Sequence, residues 1–402
     1  LTTCHFLAMA PPSPRFVDVV RHFAVEDEAG YMEHFREHGF VVVADVLEPE
    51  QVRASIAEIW SSCSLLGAYG FDPQDVQSWD PWPGGCRNFL DSLDPIKEVE
   101  TWRNRVNSRV NRVFDVLWED RFESFEDAHE ESLVMSVDRI GLMRPTHLKD
   151  GEKLIERPEW RTSRNWLHWD QNPWSTPDFE AMQGLLSLAG SASSGGFVTV
   201  DGFQKDFAAW AKNHPEGSIP KRSKEMIPFP VPLEDEMQGR RSKIVVPSGA
   251  LLVWDSRMPH ENFPNDGEDW RMVQYVTCKR LKALELDARA AAWQSGFRTG
   301  LIPASFASRF SSLEQRRLGM WSSTPDALRE ALAQAEELST EQLEAAGQLR
   351  RAYRLKQTAE LPEELKEAIQ LFRGAFAVNP SLQQVLQHVA TAERTYLPFW
   401  IL

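Results

Sequence analysis

The feature that most constrains this chain is a His-Trp-Asp motif, His168-Trp169-Asp170, followed at a distance by His260 and then by Arg271. His168 and Asp170 are two residues apart, so on an extended strand both side chains point to the same face. One metal ion can take both groups, but a third ligand on that face must come from a strand that the fold brings alongside. The motif therefore predicts a strand-built core that pairs distant segments.

His260 meets that requirement, because it follows a turn and an apolar run over residues 247–259, the pattern of a strand that ends in a polar loop. Two imidazoles and one carboxylate on one face of a divalent iron leave open positions for oxygen and a bidentate co-substrate. Arg271 begins the next apolar run, and its guanidinium can hold a carboxylate through two parallel hydrogen bonds. An isolated His-x-Asp is more often an exposed hydrogen-bonded pair, and Arg271 alone could form an ordinary salt bridge. The combination favours an iron site.

The motifs around these residues resemble those of the phytanoyl-CoA dioxygenase family, within the iron(II)- and 2-oxoglutarate-dependent oxygenases. The resemblance covers about residues 31–280. Besides the candidate ligands it rests on three segments: a helix, glycine turn and strand at 34–47, a Gly-rich strand at 195–203, and a Pro-x-Gly-x-Leu-Leu pattern at 247–252.

The resemblance implies a mainly β core with α additions: a double-stranded β-helix (jelly roll) flanked by N-terminal and C-terminal helices. It implies that His168, Asp170 and His260 form the catalytic centre as iron(II) ligands, and that Arg271 pairs with the far carboxylate of 2-oxoglutarate. In that chemistry O2 converts 2-oxoglutarate to succinate and CO2, and an unactivated C–H of a small organic molecule is hydroxylated. Related halogenating enzymes lack the carboxylate ligand, so the presence of Asp170 argues against that branch.

Several other residues are weaker candidates. Asn165 and Trp169 are candidates for binding the co-substrate, because an amide can orient ligand oxygens and an aromatic ring can exclude water. Trp174 is a candidate substrate contact on the same ground, and core packing explains either tryptophan equally well. Arg139 and Arg144 lie at a predicted strand and could bind an anionic substrate, although a solvated strand face is the more ordinary role.

The chain divides into three predicted regions: a loosely held N-terminal arm over residues 1–30, the oxygenase-like domain over 31–280, and a C-terminal helical extension over 281–402. Within the domain, short apolar runs between turns predict strands, and closely spaced prolines predict an irregular segment over 204–242. In the extension, Pro325-Asp326 and Ser339-Thr340 predict the starts of two helices. We expect the C-terminal helices to pack on the barrel. A dimer surface or a cap over the substrate pocket are the alternatives.

Charge and composition narrow the partners. The formal net charge of −15 disfavours the phosphate backbone of nucleic acid, and no apolar run approaches the ~20 residues of a membrane span. We therefore expect a small-molecule substrate, no nucleic-acid or membrane partner, and a monomer or homodimer. The four cysteines lack metal-ligand spacing and fit reduced thiols in a cytoplasmic or otherwise intracellular protein, with organelle targeting left open.

Three alternative functions stay open. The same centre could give desaturation, cyclisation or demethylation, since substrate placement decides the product. The chain could be a non-catalytic jelly-roll protein that binds a metal or small molecule without turnover. A different metal, such as zinc or manganese, could serve a hydrolytic or isomerising reaction that needs no oxygen.

Overall fold

The computed structural model describes most of the chain. The described residues are 18–19, 21–62, 70–80, 82, 89–90, 98–121, 133–150, 152–162, 165–190, 194–217, 229–358 and 362–392.

The described residues fall into two compact units. The first contains those between 18 and 121 together with 139–277, and the second contains 133–138 and 278–392. The junction at 277/278 lies close to the end of the predicted oxygenase-like domain.

Most of the strands are short, and the two longest have nine and ten residues. In chain order they are β1 (Asp18–Val19), β2 (Phe40–Val43), β3 (Phe89–Leu90), β4 (Leu133–Met135), β5 (Ile140–Met143), β6 (His147–Asp150), β7 (Lys153–Glu156), β8 (His168–Trp169), β9 (Ala181–Ala189), β10 (Ser194–Val200), β11 (Phe229–Pro230), β12 (Arg241–Ile244), β13 (Leu251–Asp255), β14 (His260–Asn265) and β15 (Arg271–Arg280).

Two sheets organise the first unit. One has the strand order β1-β12-β10-β14-β8-β11, and the other has the order β2-β13-β9-β15-β5-β3. Neighbouring strands such as β10 and β14, or β13 and β9, run antiparallel, whereas β1 and β12 run parallel. In the second unit, β4 pairs antiparallel with residues 278–280 at the end of β15. The fold is therefore a mixture of helices and mainly antiparallel sheet.

The hydrophobic core of the first unit takes side chains from both sheets. Leu185 and Leu252 come from one sheet, while Phe197 and Ile244 come from the other, and all four are buried. Burying a side chain of this size contributes roughly 1.5–3 kcal/mol. The shared core gives rigid support to β8 and β14, the strands that begin at His168 and His260.

The helices are α1 (Glu28–His38), α2 (Pro49–Ser62), α3 (Glu100–Arg105), α4 (Ser108–Glu119), α5 (Phe207–Asn213), α6 (Ala283–Arg298), α7 (Ala304–Ala307), α8 (Ser312–Arg317), α9 (Asp326–Glu336), α10 (Thr340–Thr358), α11 (Pro362–Val378) and α12 (Ser381–Ala392). None of the helices in the described part of the chain combines the length and apolar character needed to cross a lipid bilayer.

The helix, glycine turn and strand predicted near the start of the domain are present. The Asp27 side chain accepts a hydrogen bond from the Gly30 backbone N–H at the start of α1. Gly39 ends the helix with φ of 75°, a left-handed conformation that glycine adopts without a steric penalty. The chain can therefore turn directly into β2.

The predicted N-terminal arm is more ordered than expected where it is described. β1 pairs with Lys243 and Ile244 of β12, and Phe23 forms a bridge with Val43. Helix α1 begins inside the predicted arm, at Glu28. Backbone pairing therefore ties residues 18–30 to both sheets, which corrects the expectation of a loosely held arm.

The segment predicted to be irregular, residues 204–242, is mostly so. It contains α5, the two-residue strand β11 and a 3-10 turn at Glu236–Gly239 before β12 begins. Residues 218–228 lie outside the described part of the chain.

The second unit is mainly helical. The helix starts expected from Pro325-Asp326 and Ser339-Thr340 are confirmed by α9 and α10. The Ser339 hydroxyl accepts a hydrogen bond from the Gln342 N–H, which satisfies one of the backbone donors left open at the start of α10.

Candidate metal centre

The structure brings together the three residues predicted as metal ligands. His168 begins β8 and His260 begins β14, and the two residues are direct partners in the sheet. Asp170 follows β8, and its carboxylate oxygens lie 3.6 Å from His168 Nε2 and 3.4 Å from His260 Nε2. Among the described residues, these three form the one group of His, Cys, Asp or Glu whose donor atoms are close enough to share a metal ion, within 4.8 Å of one another.

Backbone carbonyls orient both imidazoles. His168 Nδ1 lies 3.0 Å from the Trp166 carbonyl oxygen, and His260 Nδ1 lies 3.1 Å from the Met258 carbonyl oxygen. Since a carbonyl only accepts, each Nδ1 donates its proton there. The Nε2 lone pair of each ring then faces the cluster, which is the arrangement a metal requires.

The protonation states also fit metal binding. Burial lowers the pKa of His168, and the nearby His260 lowers it further. Desolvation acts to raise the pKa of Asp170, but the adjacent His168 and His260 side chains outweigh it and hold that pKa well below its usual value. A neutral imidazole and an ionised carboxylate are the forms that bind a metal.

A buried salt bridge connects β14, the strand that begins at His260, to β12. Glu261, next to His260, pairs with Arg241 of β12 at 2.6 Å, and both side chains are buried. The other Glu261 oxygen accepts the Trp166 N–H at 2.8 Å. Since the Trp166 carbonyl holds His168, Glu261 fixes the segment that presents this ligand.

Arg271 lies buried at the start of β15, with 5% of its surface exposed. Its Nη1 contacts Asn262 Oδ1 at 3.1 Å and Met143 Sδ at 3.0 Å. No carboxylate of the described residues lies within salt-bridge distance of this guanidinium. Burial lowers its pKa, so the charge is held in an environment that would favour an added anion.

The predicted Gly-rich segment makes room for Arg271. Gly195 has φ of 89°, and a Cβ at this position would lie 2.7 Å from Arg271 Cδ. Only glycine fits both the backbone conformation and the close approach. The segment is therefore a structural requirement of the guanidinium position.

Arg271 lines a slot in which the other lining residues, Ser187 apart, are glycines or carry apolar side chains. The Ser187 hydroxyl in this slot donates to the Val246 carbonyl at 3.2 Å, which leaves Arg271 as the charged group. The lining residues are Leu185, Ser187, Ala189, Gly190, Gly195, Gly196, Val245, Val246, Arg271 and Val273.

The weaker candidates beside the motif have structural partners. Asn165 has φ of 59°, and its Oδ1 accepts a hydrogen bond from Arg241 at 3.2 Å. Trp169 is buried on the face opposite the ligands, packs 4.5 Å from Trp210 between ring centroids, and donates to the Arg257 carbonyl. Trp174 donates to the His214 carbonyl at 2.7 Å. These contacts match the core-packing interpretation of both tryptophans.

The two arginines considered for substrate binding have different positions. Arg139 is exposed, as expected of a solvated strand end. Arg144 is buried and donates to the Asp80 carboxylate at 2.7 Å and to the Trp79 carbonyl at 2.8 Å. Its guanidinium also lies 4.6 Å from the ring centre of Trp160. Asp80 and Trp79 therefore already bind this guanidinium, which gives Arg144 a structural role in place of the predicted substrate contact.

Four residues that hold the centre together do not stand out in the sequence. Glu261 and Asn262 directly follow the second histidine, so a polar run after a ligand was an available signal. Gln183 is an amide in the otherwise apolar start of β9 and donates to Asp170. Arg241 gives no signal, because its pairing with Glu261 depends on sheet topology.

Comparisons with known proteins agree with the resemblance. No family model matches the chain. A protein of Dictyostelium discoideum named "Putative phytanoyl-CoA dioxygenase" is 22% identical over 284 residues, covering 61% of this chain and 73% of that protein. "Ava biosynthesis cluster protein O" of Aspergillus versicolor is 24% identical over 266 residues, covering 62% and 77% respectively. The predicted similarity to the phytanoyl-CoA dioxygenase family is thus confirmed by a curated relative.

Similar solved structures were also found. A hypothetical protein from Escherichia coli has a TM-score of 0.49 and 14% identity, covering 78% of this chain and 85% of that one. The epimerase SnoN in complex with Fe3+, alpha ketoglutarate and nogalamycin RO has a TM-score of 0.41 and 15% identity, covering 64% and 84%.

Proposed function

We propose that this chain is an iron(II)- and 2-oxoglutarate-dependent dioxygenase that hydroxylates an unactivated C–H bond of a small organic molecule. One atom of O2 would enter the substrate and the other would enter succinate, with release of CO2. The observation that carries the proposal is the combination of the His168, Asp170 and His260 cluster with the buried charge of Arg271. The curated relative named as a phytanoyl-CoA dioxygenase supports it.

The metal would be held by His168, Asp170 and His260. Two neutral imidazoles and one carboxylate suit iron(II) and occupy one face of it. Iron bound there would supply open positions for O2 and a bidentate co-substrate. Backbone carbonyls of the protein fix the orientation of each imidazole. Since 43% of the Asp170 side chain is exposed, one side of the site is open to a substrate.

The co-substrate would be anchored by Arg271. A dicarboxylate needs a cationic partner for its far end, and Arg271 lacks a carboxylate partner among the described residues. The apolar slot beside it suits the two methylene groups of 2-oxoglutarate. Asn262 holds the guanidinium and also donates to the Tyr275 hydroxyl at 2.9 Å, so the anchor is fixed before the ligand arrives.

The fold supporting this site would be a double-stranded β-helix. Two mainly antiparallel sheets share one core, and β8 and β14 present the ligands at their first residues. We propose that this jelly roll spans most of the first unit. Asn165 is proposed only as a support for the segment that carries His168, because its side chain already binds Arg241.

The conversion of 2-oxoglutarate to succinate tests the proposal and can be measured before the substrate is known. The purified protein, supplied with iron(II), ascorbate, O2 and 2-oxoglutarate, is expected to release succinate slowly, and adding substrate candidates is expected to accelerate the release. His260→Ala should reduce succinate to background. An equal rate in His260→Ala, or a rate that zinc supports as well as iron, would contradict the assignment and favour a different metal chemistry.

A further inference from the structure

Gln183 places a hydrogen-bond donor directly against the carboxylate ligand. It lies in β9, where its neighbours are apolar and buried, and only 7% of its own surface is exposed. Its Nε2 lies 2.6 Å from Asp170 Oδ2. An amide buried among apolar residues is costly unless both of its ends are hydrogen-bonded, so its position calls for a specific role.

Trp254 determines which end of the amide faces Asp170. Trp254 and Gln183 are direct partners in the antiparallel pair of β13 and β9, and Trp254 Nε1 lies 3.1 Å from Gln183 Oε1. An indole N–H can only donate, so the amide oxygen must face Trp254. The amide NH2 then faces the carboxylate, which can only accept when it is ionised.

Asp170 needs such a contact more than either histidine does. Each imidazole is fixed through its Nδ1 by a backbone carbonyl. Asp170 follows a strand of only two residues, and 43% of its side chain is exposed. Its contacts among the described residues are the two histidines and Gln183. Once the Nε2 atoms bind a metal, Gln183 is the donor that remains.

We propose that Gln183, oriented by Trp254, is a positioning residue for the metal centre. It holds Asp170 Oδ2, so that Asp170 Oδ1 would be the oxygen left to bind the metal. Trp254 also packs 5.2 Å from the His260 ring, between centroids, so one side chain supports two of the three ligands. This inference rests on the proposed function, because it assigns Gln183 a role toward the metal bound there.

The test measures iron affinity, independently of turnover. Wild-type protein and Gln183→Met are titrated anaerobically with iron(II). The dissociation constant is obtained from the fraction of protein that has bound iron at each iron(II) concentration. Loss of a hydrogen bond that orients a ligand typically weakens metal binding 10–100-fold, and we expect an increase in the dissociation constant of about that size. Trp254→Phe, which keeps the ring packing but loses the N–H, should give a smaller increase.

Gln204→Met provides the matched control. Gln204 is also a buried glutamine of the first unit, and its amide donates to the Arg36 and Glu37 carbonyls at the end of α1. Both Met variants should lose free energy of unfolding, whereas only Gln183→Met should lose iron affinity. A merely structural Gln183 would change stability and leave the dissociation constant at the wild-type value, which would overturn the inference.

The outcomes also separate this inference from the proposed function. If the wild-type protein binds no iron(II), the proposed function fails and the inference fails with it. If the wild type binds iron and Gln183→Met binds it equally well, only the positioning role is overturned. An unchanged dissociation constant in Trp254→Phe, with a weakened Gln183→Met, would overturn the orienting role of the indole alone.

Discussion

Two buried arginines, one in each unit, have opposite surroundings. Arg289 of the helical unit is fully buried, and its guanidinium donates to the carbonyls of Leu318 at 2.9 Å and Met135 at 2.6 Å. Arg271 of the sheet unit contacts one amide oxygen and one thioether and faces an apolar slot. Burial lowers the pKa of both. Backbone carbonyls of the protein satisfy Arg289, whereas Arg271 is the arginine that we propose binds a ligand.

Glycine makes room for both side chains, so glycine alone does not distinguish the two roles. A Cβ at Gly319 would lie 2.6 Å from Arg289 Nε, just as a Cβ at Gly195 would meet Arg271. What differs is the partner of the guanidinium. A buried guanidinium that donates to backbone carbonyls stabilises the fold. A buried guanidinium that faces a slot and has no acidic partner indicates a binding site.

The largest expected effect tests the structural arginine. Arg289→Met should lower the free energy of unfolding by about 3–4 kcal/mol, because two buried carbonyls lose a charged donor. Urea denaturation measures the loss, and 2-oxoglutarate binding by the folded fraction should be unchanged. A loss below about 1 kcal/mol would show that Arg289 does not have the structural role that distinguishes it from Arg271.

The matched substitution in the sheet unit, Arg271→Met, should have little effect on stability and a large effect on 2-oxoglutarate binding. Arg271→Met should change the free energy of unfolding by less than about 1 kcal/mol, since a buried charge without a charged partner contributes little net stability. It should raise the KM for 2-oxoglutarate about 100-fold, equivalent to about 2.7 kcal/mol. Steady-state succinate release measures this change. An unchanged KM would show that Arg271 does not anchor the co-substrate.

A smaller effect is expected from the salt bridge beside the ligands. Glu261→Gln leaves Arg241 as a buried charge with a neutral partner, and we expect a loss of about 2 kcal/mol in the free energy of unfolding. Because Glu261 also accepts the Trp166 N–H, iron(II) affinity should fall by up to about tenfold. Urea denaturation and an anaerobic titration measure the two effects, and wild-type affinity in a destabilised variant would restrict Glu261 to a structural role.

The smallest effect concerns a histidine outside the metal centre. His34 is buried, its ring nitrogens have no hydrogen-bond partner among the described residues, and burial lowers its pKa to about 4. The unfolded chain takes up this proton near pH 6.5, so stability is complete above that pH and is lost as the pH falls toward 4. The expected loss is about 1 kcal/mol at pH 5.5.

Comparing His34→Gln with the wild type checks this prediction. The difference in free energy of unfolding between pH 7 and pH 5.5 should be smaller in the variant than in the wild type, whatever the absolute stability of each. An identical acid loss in both proteins would assign the titration to other groups. In that case the histidines of the metal centre would be the next to examine.

The ligand cluster could be predicted from the sequence because its geometry follows from local rules. The spacing of His168 and Asp170 places both on one face of a strand, and the apolar run before His260 indicates a strand leading to a ligand. The same local reasoning found the starts of α9 and α10, since a helix start depends on nearby residues.

The supporting residues could not be predicted because they depend on which strands become neighbours. Gln183 of β9 and Asp170, which follows β8, come from different sheets, and Arg241 meets Glu261 through the sheet order of β12, β10 and β14. The position of Arg144 depends similarly on Asp80, 64 residues earlier in the chain. Pairings over such distances have no signature in a local sequence window.

An anaerobic titration of the metal-free protein with iron(II), followed by 2-oxoglutarate, in a spectrophotometer tests most directly whether the ligand cluster and Arg271 hold iron and 2-oxoglutarate together. We expect that adding 2-oxoglutarate to the iron-loaded wild type produces a weak visible charge-transfer band, and that His168→Ala produces none. Iron binding without the band in the wild type, or an equal band in His168→Ala, would contradict a centre in which these ligands and Arg271 hold iron and 2-oxoglutarate together.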